Sequence, residues 1–209
     1  MNDRKILVLG IAATALVLAT GALWMQMSRG QGHERFTQCG AGAVAGGADS
    51  LGGAFTLTDG RGERLTDERV FSKPSILYFG YTYCPDVCPL DVARNAEVVE
   101  LLGEDNRDVQ PVFITVDPRR DTPEVVERFV SNIHPDMIGL TGTQEEVDAV
   151  SRLWRNYYQI RDDGTDNYLV DHLANSYLVL PDDGTVAFFR RDLPPEDMAQ
   201  QVACLLDVA

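Results

Sequence analysis

SILYFGYTYCPDVCP, residues 75–89, decides how the rest of the chain is read. Its first seven residues, Ser75 to Tyr81, form a short apolar run rich in aromatic and β-branched side chains, as expected of a strand buried on both faces. Beyond Pro89, Val92, Ala96 and Val99 recur at i, i+4 and i+7, so a helix follows, with Gly103 as its stop. A second apolar run, Val109 to Val116, completes a strand, helix, strand order that requires a right-handed parallel crossover. The two cysteines therefore fall where a buried parallel strand gives way to a helix. Open α/β sheets place their sites at such strand ends.

The flanking sequence extends the same fold. Phe55 to Thr58 and Glu63 to Leu65 bracket Asp59-Gly60-Arg61-Gly62, an opening hairpin. Thr122-Pro123-Glu124 starts a helix with Val125, Phe129, Val126, Val130 and Ile133 spaced for a buried face. Thr143 and Glu146 make a capping box for the next helix, which should carry Val147, Val150, Trp154 and Tyr157 inward. Met137 to Leu140 is a short strand between these two. Asn175 to Leu180 and Thr185 to Arg190 bracket a Pro181-Asp182-Asp183-Gly184 turn, and Pro195 to Asp207 is a last helix. The result is one α/β domain with a central mixed sheet covered by helices.

Cys84 and Cys88 lie one helical turn apart, so both sulfurs can project from one face of the first turn and grip one atom. The helix end favours thiolate there by about 0.3 to 1 kcal/mol, and Asp86 between them opposes it. Two packed core cysteines or a static disulfide is the plain structural reading. The functional readings divide into redox dithiol and metal site. Thioredoxin-like dithiols use two intervening residues; the three found here relax the ring and suit chelation at least as well. Three histidines are present to complete a metal site. His33 neighbours the amino-terminal apolar segment and His134 precedes a proline in a turn, where exposure is the default. His172, on a loop just before the strand Asn175 to Leu180, is the candidate. A Cys2His set is soft, selecting Cu(I), Zn or Fe–S chemistry over Mg or Ca and leaving a position open for exchange.

The 209 residues carry 18 Lys and Arg against 32 Asp and Glu, a net charge of -14 that repels phosphate backbones and argues against nucleic acid as a partner. With 44% hydrophobic residues the chain is no disordered acidic tail. After the head 1–5, Ile6 to Trp24 is an uncharged run of 19 residues, enough to cross a hydrocarbon layer of about 30 Å as a single transmembrane helix. A cleaved signal peptide is the rival reading, but secretory apolar cores usually stop at about 7 to 15 residues. Arg4, Lys5 and the terminal amine against Arg29 and Arg35 tip the amino terminus inside. Residues 25–53 read as a Gly- and Ala-rich linker, with the folded domain over 54–209. Cys204, inside the last helix, reads as a buried hydrophobe, and a disulfide to Cys39 is the competing hypothesis.

YFGYTYCPDVCP, then VDPRRDTPE at 116–124, then VDHLANSYLVLPDDG at 170–184, resemble in residues and order the Sco/SenC proteins. These are thioredoxin-fold copper proteins that assist assembly of the CuA centre of cytochrome c oxidase. The resemblance covers residues 54–207 plus the anchor. It implies a thioredoxin-like α/β fold with an N-terminal β-hairpin and an inserted helix, and copper, as Cu(I) or Cu(II), held by Cys84, Cys88 and His172. Asp86 and Asp117 match acidic positions of the family and stand as residues supporting the ligands, whereas Leu173 departs from a position where many members have a small hydroxyl residue. The implied partners are the CuA-bearing oxidase subunit and other copper chaperones. The implied setting is the inner membrane of a bacterium with the domain in the periplasm. A thiol-disulfide reductase that keeps a partner's copper-binding cysteines reduced is the alternative. A peroxidase-like relative fits less well, since the dithiol motif holds no arginine, and a redox or copper sensor is compatible with the same residues.

Overall fold

The computed structural model describes residues 20, 21, 36, 38–43, 50–162 and 164–209. The spanning segment expected over Ile6 to Trp24 lies outside the described residues apart from 20 and 21, as do the head 1–5, His33 and much of the linker. Among the described residues no helix is long and apolar enough to cross a membrane.

In chain order the structure begins with β1 (Gly42–Ala43), the hairpin β2 (Thr56–Asp59) and β3 (Arg64–Thr66), and a one-turn α1 (Asp67–Val70). The unit β4 (Ser75–Gly80), α2 (Val87–Glu104) and β5 (Gln110–Thr115) follows. Then come α3 (Pro123–Ser131), β6 (Ile138–Thr141) and α4 (Gln144–Leu153). A ribbon of β7 (Tyr158–Arg161) and β8 (Leu169–His172) precedes β9 (Ser176–Leu180), β10 (Gly184–Phe189) and α5 (Pro195–Asp207).

Eight strands form one mixed sheet in the order β1-β10-β9-β4-β5-β6-β2-β3. β4 and β5 lie at its centre, parallel and in register from Ser75↔Gln110 to Gly80↔Thr115, and every residue of both is buried. Their unbroken apolar character is therefore the signature of central strands covered on both faces. Side chains including Ile76, Leu178, Val98, Leu102, Met198 and Val202 fill one cluster, to which both α2 and α5 contribute. Another gathers Leu77, Phe79, Phe113, Val126, Val150 and Trp154. Thr122 and Pro123 start α3 as its sequence requires, and Thr143 and Glu146 close a reciprocal capping box on α4, a motif whose cap is worth about 1 kcal/mol.

Several expectations are corrected. α4 ends at Leu153, and Arg155 adopts φ 50°, so the chain leaves the helix and Tyr157 points to solvent while Trp154 stays buried. His134 is buried, its Nδ1 accepting the Asp136 amide at 3.2 Å. Cys204 is disulfide-bonded to Cys39 rather than free. Within the stretch read as linker, Gly42–Ala43 pairs antiparallel with β10, and Phe36 is buried against the cluster beneath α5.

Candidate metal centre

Gly80 ends β4 and releases the chain into a loop that reaches α2 at Val87. A Cβ at Gly80 would stand 2.8 Å from the Tyr78 ring and 3.1 Å from Cys88 Sγ, so the absent side chain makes room for the sulfur. Only Cys88 lies in the first turn of α2; Cys84 belongs to the loop, not to the helix face expected of it. The two meet because the Cys88 amide donates to Cys84 Sγ at 3.4 Å. Asp86 takes the capping position without a side-chain cap bond, so this sulfur satisfies one of the amides that a helix start leaves open.

His172 arrives from another part of the fold. It is the last residue of β8, paired across the ribbon with Tyr158, and not part of a loop. Its Nδ1 lies 3.0 Å from the Leu173 carbonyl, an acceptor only, which places a hydrogen on Nδ1 and leaves Nε2 facing the sulfurs. Nε2 stands 3.2 Å from Cys88 Sγ. Cys84, Cys88 and His172 offer three ligand atoms within 4.8 Å of one another, a group of the size and softness that holds a thiophilic ion. Cys88 is buried, while Cys84 and His172 are half-buried, so the trio is open on one side.

The two thiols differ in their protons. The hydrogen bond from Cys88 is the largest influence on Cys84 and, with the amides of Cys88 and Asp86, pulls its pKa down to about 3 against the opposing effect of burial. Cys88 is pushed up, first by donating its hydrogen bond to Cys84 and then by burial. One thiol proton is thus held between a stabilised thiolate and a deep partner. Burial also raises the phenol of Tyr78, which donates to buried Asp91 at 3.0 Å and lies beneath Cys88.

Around the trio, the His172 ring stands edge-on to Tyr78 and Tyr81, centroids 6.1 and 5.9 Å away. The carboxylate of Asp86 is exposed, and what reaches Cys84 from that residue is its backbone amide. Asp117 is fully buried and accepts from Arg120 Nε at 2.6 Å and from the Tyr168 hydroxyl at 2.8 Å, so it acts on the chain leading into β8. Asp121 was not singled out from the sequence. It accepts from the Thr82 amide at 3.0 Å, the Thr82 hydroxyl at 2.6 Å and the Thr115 hydroxyl at 2.5 Å, tying the dithiol loop to the end of β5. The sequence carries a signal for it: the VDPRRDTPE stretch follows β5 as the cysteines follow β4, and two strand ends side by side share one site.

Comparison with known proteins adds a family. Residues 43–207 match the family described as SCO1/SenC. Protein SenC of Rhodobacter capsulatus is 49% identical over 174 residues, 83% of this chain and 78% of that protein. The mitochondrial SCO1 homolog 1 of Arabidopsis thaliana is 41% identical over 147 residues, 70% of this chain but 44% of the plant protein. Among solved structures, Arabidopsis thaliana ScoI with copper bound superposes with a TM-score of 0.70 at 38% identity, covering 75% of this chain and 98% of that one. Yeast Sco1 with copper bound gives 0.69 at 34% identity, covering 74% of this chain and 87% of that one.

Proposed function

The chain belongs to the SCO1/SenC family, and from that premise we propose that it is a membrane-anchored copper chaperone for the CuA-bearing subunit of cytochrome c oxidase. Cys84, Cys88 and His172 hold the cargo, as Cu(I) or Cu(II). Residues 6–24 anchor the chain in the inner membrane, and the domain, which takes in Phe36, Cys39 and Gly42–Ala43 as well as residues 54–209, works in the periplasm. The observation that carries the reading is the 3.2 Å approach of His172 Nε2 to Cys88 Sγ, across 84 residues of sequence, beside a second sulfur. A dithiol working by exchange alone needs no imidazole at that distance.

Transfer to a protein partner is supported by where apolar surface is exposed. Among the described residues, the large hydrophobic side chains that stand in solvent are Tyr83, Leu90, Tyr157, Leu169 and Leu173. Tyr83 adjoins Cys84, Leu90 follows Cys88 on α2, and the other three lie on or beside the ribbon that carries His172. Apolar surface gathered on the site-bearing elements suits docking of a second protein.

The reductase reading draws on the pairing of a half-exposed Cys84 with a buried Cys88, an attacking and a resolving sulfur. The low Cys84 pKa argues the other way. A stabilised thiolate favours the reduced pair and makes its disulfide oxidising, which is the wrong poise for keeping a partner's thiols reduced. The deciding experiment titrates the full chain in detergent with copper and zinc, beside Cys84→Ala, Cys88→Ala and His172→Ala, following metal stoichiometry and thiol state together. One copper per chain is expected, lost in the cysteine variants. His172→Ala should retain part of the Cu(I) binding and lose far more of the Cu(II) binding. A preference for zinc, or a negligible effect of His172→Ala on both copper states, overturns the assignment.

A further inference from the structure

The histidine of the trio sits on a piece of the fold that the main sheet does not hold. β7 and β8 pair with each other and not with the eight-stranded sheet, so no ladder bond fixes the ribbon against the dithiol loop. Near its base the Tyr81 hydroxyl accepts the Val170 amide and Tyr158 accepts from Gln144 of α4 at 2.6 Å. At its far end, residues 166–168, the Tyr168 hydroxyl donates to Asp117 at 2.8 Å and Arg119 lies 5.6 Å from the Tyr168 ring, but one side chain reaches both the ribbon backbone and the dithiol loop. Arg120, in the turn between β5 and α3, is 11% exposed. Its Nη1 donates to the Tyr168 carbonyl at 2.9 Å and to the Asp166 carbonyl at 3.1 Å, and its Nε donates to Asp117 at 2.6 Å. The guanidinium also lies over three rings: Tyr168 at 3.6 Å, Tyr83 at 4.9 Å and Tyr81 at 5.7 Å. Tyr83 precedes Cys84 in the chain, and Tyr81 stands edge-on to His172.

We propose that Arg120 is a positioning residue of the metal centre: it clamps the β7–β8 ribbon onto the dithiol loop and so sets the gap across which His172 faces the two sulfurs. The clamp rests on geometry alone; its consequence for the metal rests on the copper-carrier reading. Arginine suits the place. Its guanidinium reaches two carbonyls through Nη1 and a carboxylate through Nε while its faces pack on rings, whereas a lysine ammonium offers a point charge with no such plane. The partners are also divided: Tyr168 and the carbonyl of Asp166 belong to the ribbon, Tyr81 and Tyr83 to the loop that carries Cys84. Loss of the fork therefore loosens the far end of the ribbon from the loop, while the ties at its base and the Tyr168–Asp117 bond remain.

Two variants test this, Arg120→Met and Arg120→Lys, the second retaining a charge for Asp117 where the first risks the fold. Without metal, amide exchange across 158–172 should quicken about tenfold or more in both, with the central residues 76–79 and 112–114 unchanged. With metal, Cu(II) should bind about tenfold more weakly and with altered nitrogen hyperfine coupling, while Cu(I) affinity moves by less than about threefold. In a His172→Ala background, Arg120→Met should cost nothing further in Cu(II) binding, as required of a residue that acts through the histidine. Unchanged exchange in the ribbon, a uniform rise across the central strands, or an undiminished Arg120→Met effect without His172 overturns the proposal. If the wild-type chain binds no copper, the carrier reading fails, and exchange in the ribbon still decides the clamp.

Discussion

Lowering the pH from 8 to 6 separates the two sulfurs of the site. Cys84, pulled down to about 3 first by the hydrogen bond from Cys88, stays ionised over that range. Cys88, raised above its ordinary value, keeps its proton throughout. A metal entering the site therefore displaces one thiol proton, not two. Each proton released makes affinity fall tenfold per pH unit on acidification, or about 1.4 kcal/mol, so the thiols together should weaken Cu(I) binding about a hundredfold between pH 8 and 6. The assay is competition for Cu(I) against a chelator of known pH dependence, run on His172→Ala so that the imidazole contributes nothing to the slope. Direct proton counting in weak buffer gives an independent figure. A loss of about ten-thousandfold, or two protons per copper, would show both cysteines to be ordinary thiols and refute the asymmetry. A flat profile would refute it from the other side.

Three further outcomes are expected. The Cys39–Cys204 disulfide links residues 165 apart, and the chain-entropy relation gives about 5 kcal/mol for closing such a loop; paired Ser variants should lower the unfolding free energy measured in urea by up to that amount without changing copper stoichiometry, and a loss under about 1 kcal/mol would refute the entropy argument. Gly80→Ala drives a methyl against the Tyr78 ring and Cys88 Sγ, costing about 1 to 3 kcal/mol in chemical unfolding and weakening copper binding; unchanged values for both would show that the sulfur has room to move. Leu90→Ser with Leu169→Ser should leave copper affinity intact and slow transfer to a purified CuA-bearing domain, measured by stopped flow; equal transfer rates would remove the exposed apolar residues from the docking surface.

The elements legible in the sequence are those whose packing is written in periodic side chains. β4, α2 and β5 follow from apolar runs and an i, i+4, i+7 face, and α4 from its capping box, because each buries a face whose pattern is local. The β7–β8 ribbon escaped because its burial alternates weakly along Tyr158–Arg161 and its strands are charged, with Arg161 paired to Asp171 on the surface. A ribbon lying over other structure without joining the sheet has no run of apolar residues to announce it. His134 escaped for a related reason: a single residue in a helix-to-strand turn has no periodicity, and only the chain folded around it shows that it is buried. The Cys39–Cys204 pairing joins the amino-terminal approach to the last helix, and no local pattern links positions so distant. For the candidate site the balance differs. The cysteines and histidine were legible as residue types, whereas their meeting depends on how the chain brings β8 back beside the start of α2.

That division of the trio between two structural pieces bears on how a carrier would release its cargo. Cys88 is anchored by the rigid first turn of α2, packed under the sheet and beside Tyr78. Cys84 lies on a loop, and His172 on a ribbon held by side chains rather than by the backbone ladder of the sheet. Both are half-exposed while Cys88 is buried, so an incoming thiolate can reach the metal from their side. On the carrier reading, exchange begins at the exposed ligands while the buried sulfur still holds the ion, and the metal need never be free in solution. A site with all three ligands on one rigid element would bind as well and give up its metal less readily, because any ligand that leaves would have to strain packed structure. On the carrier reading, the ribbon's separation from the sheet is the feature that suits the site to transfer.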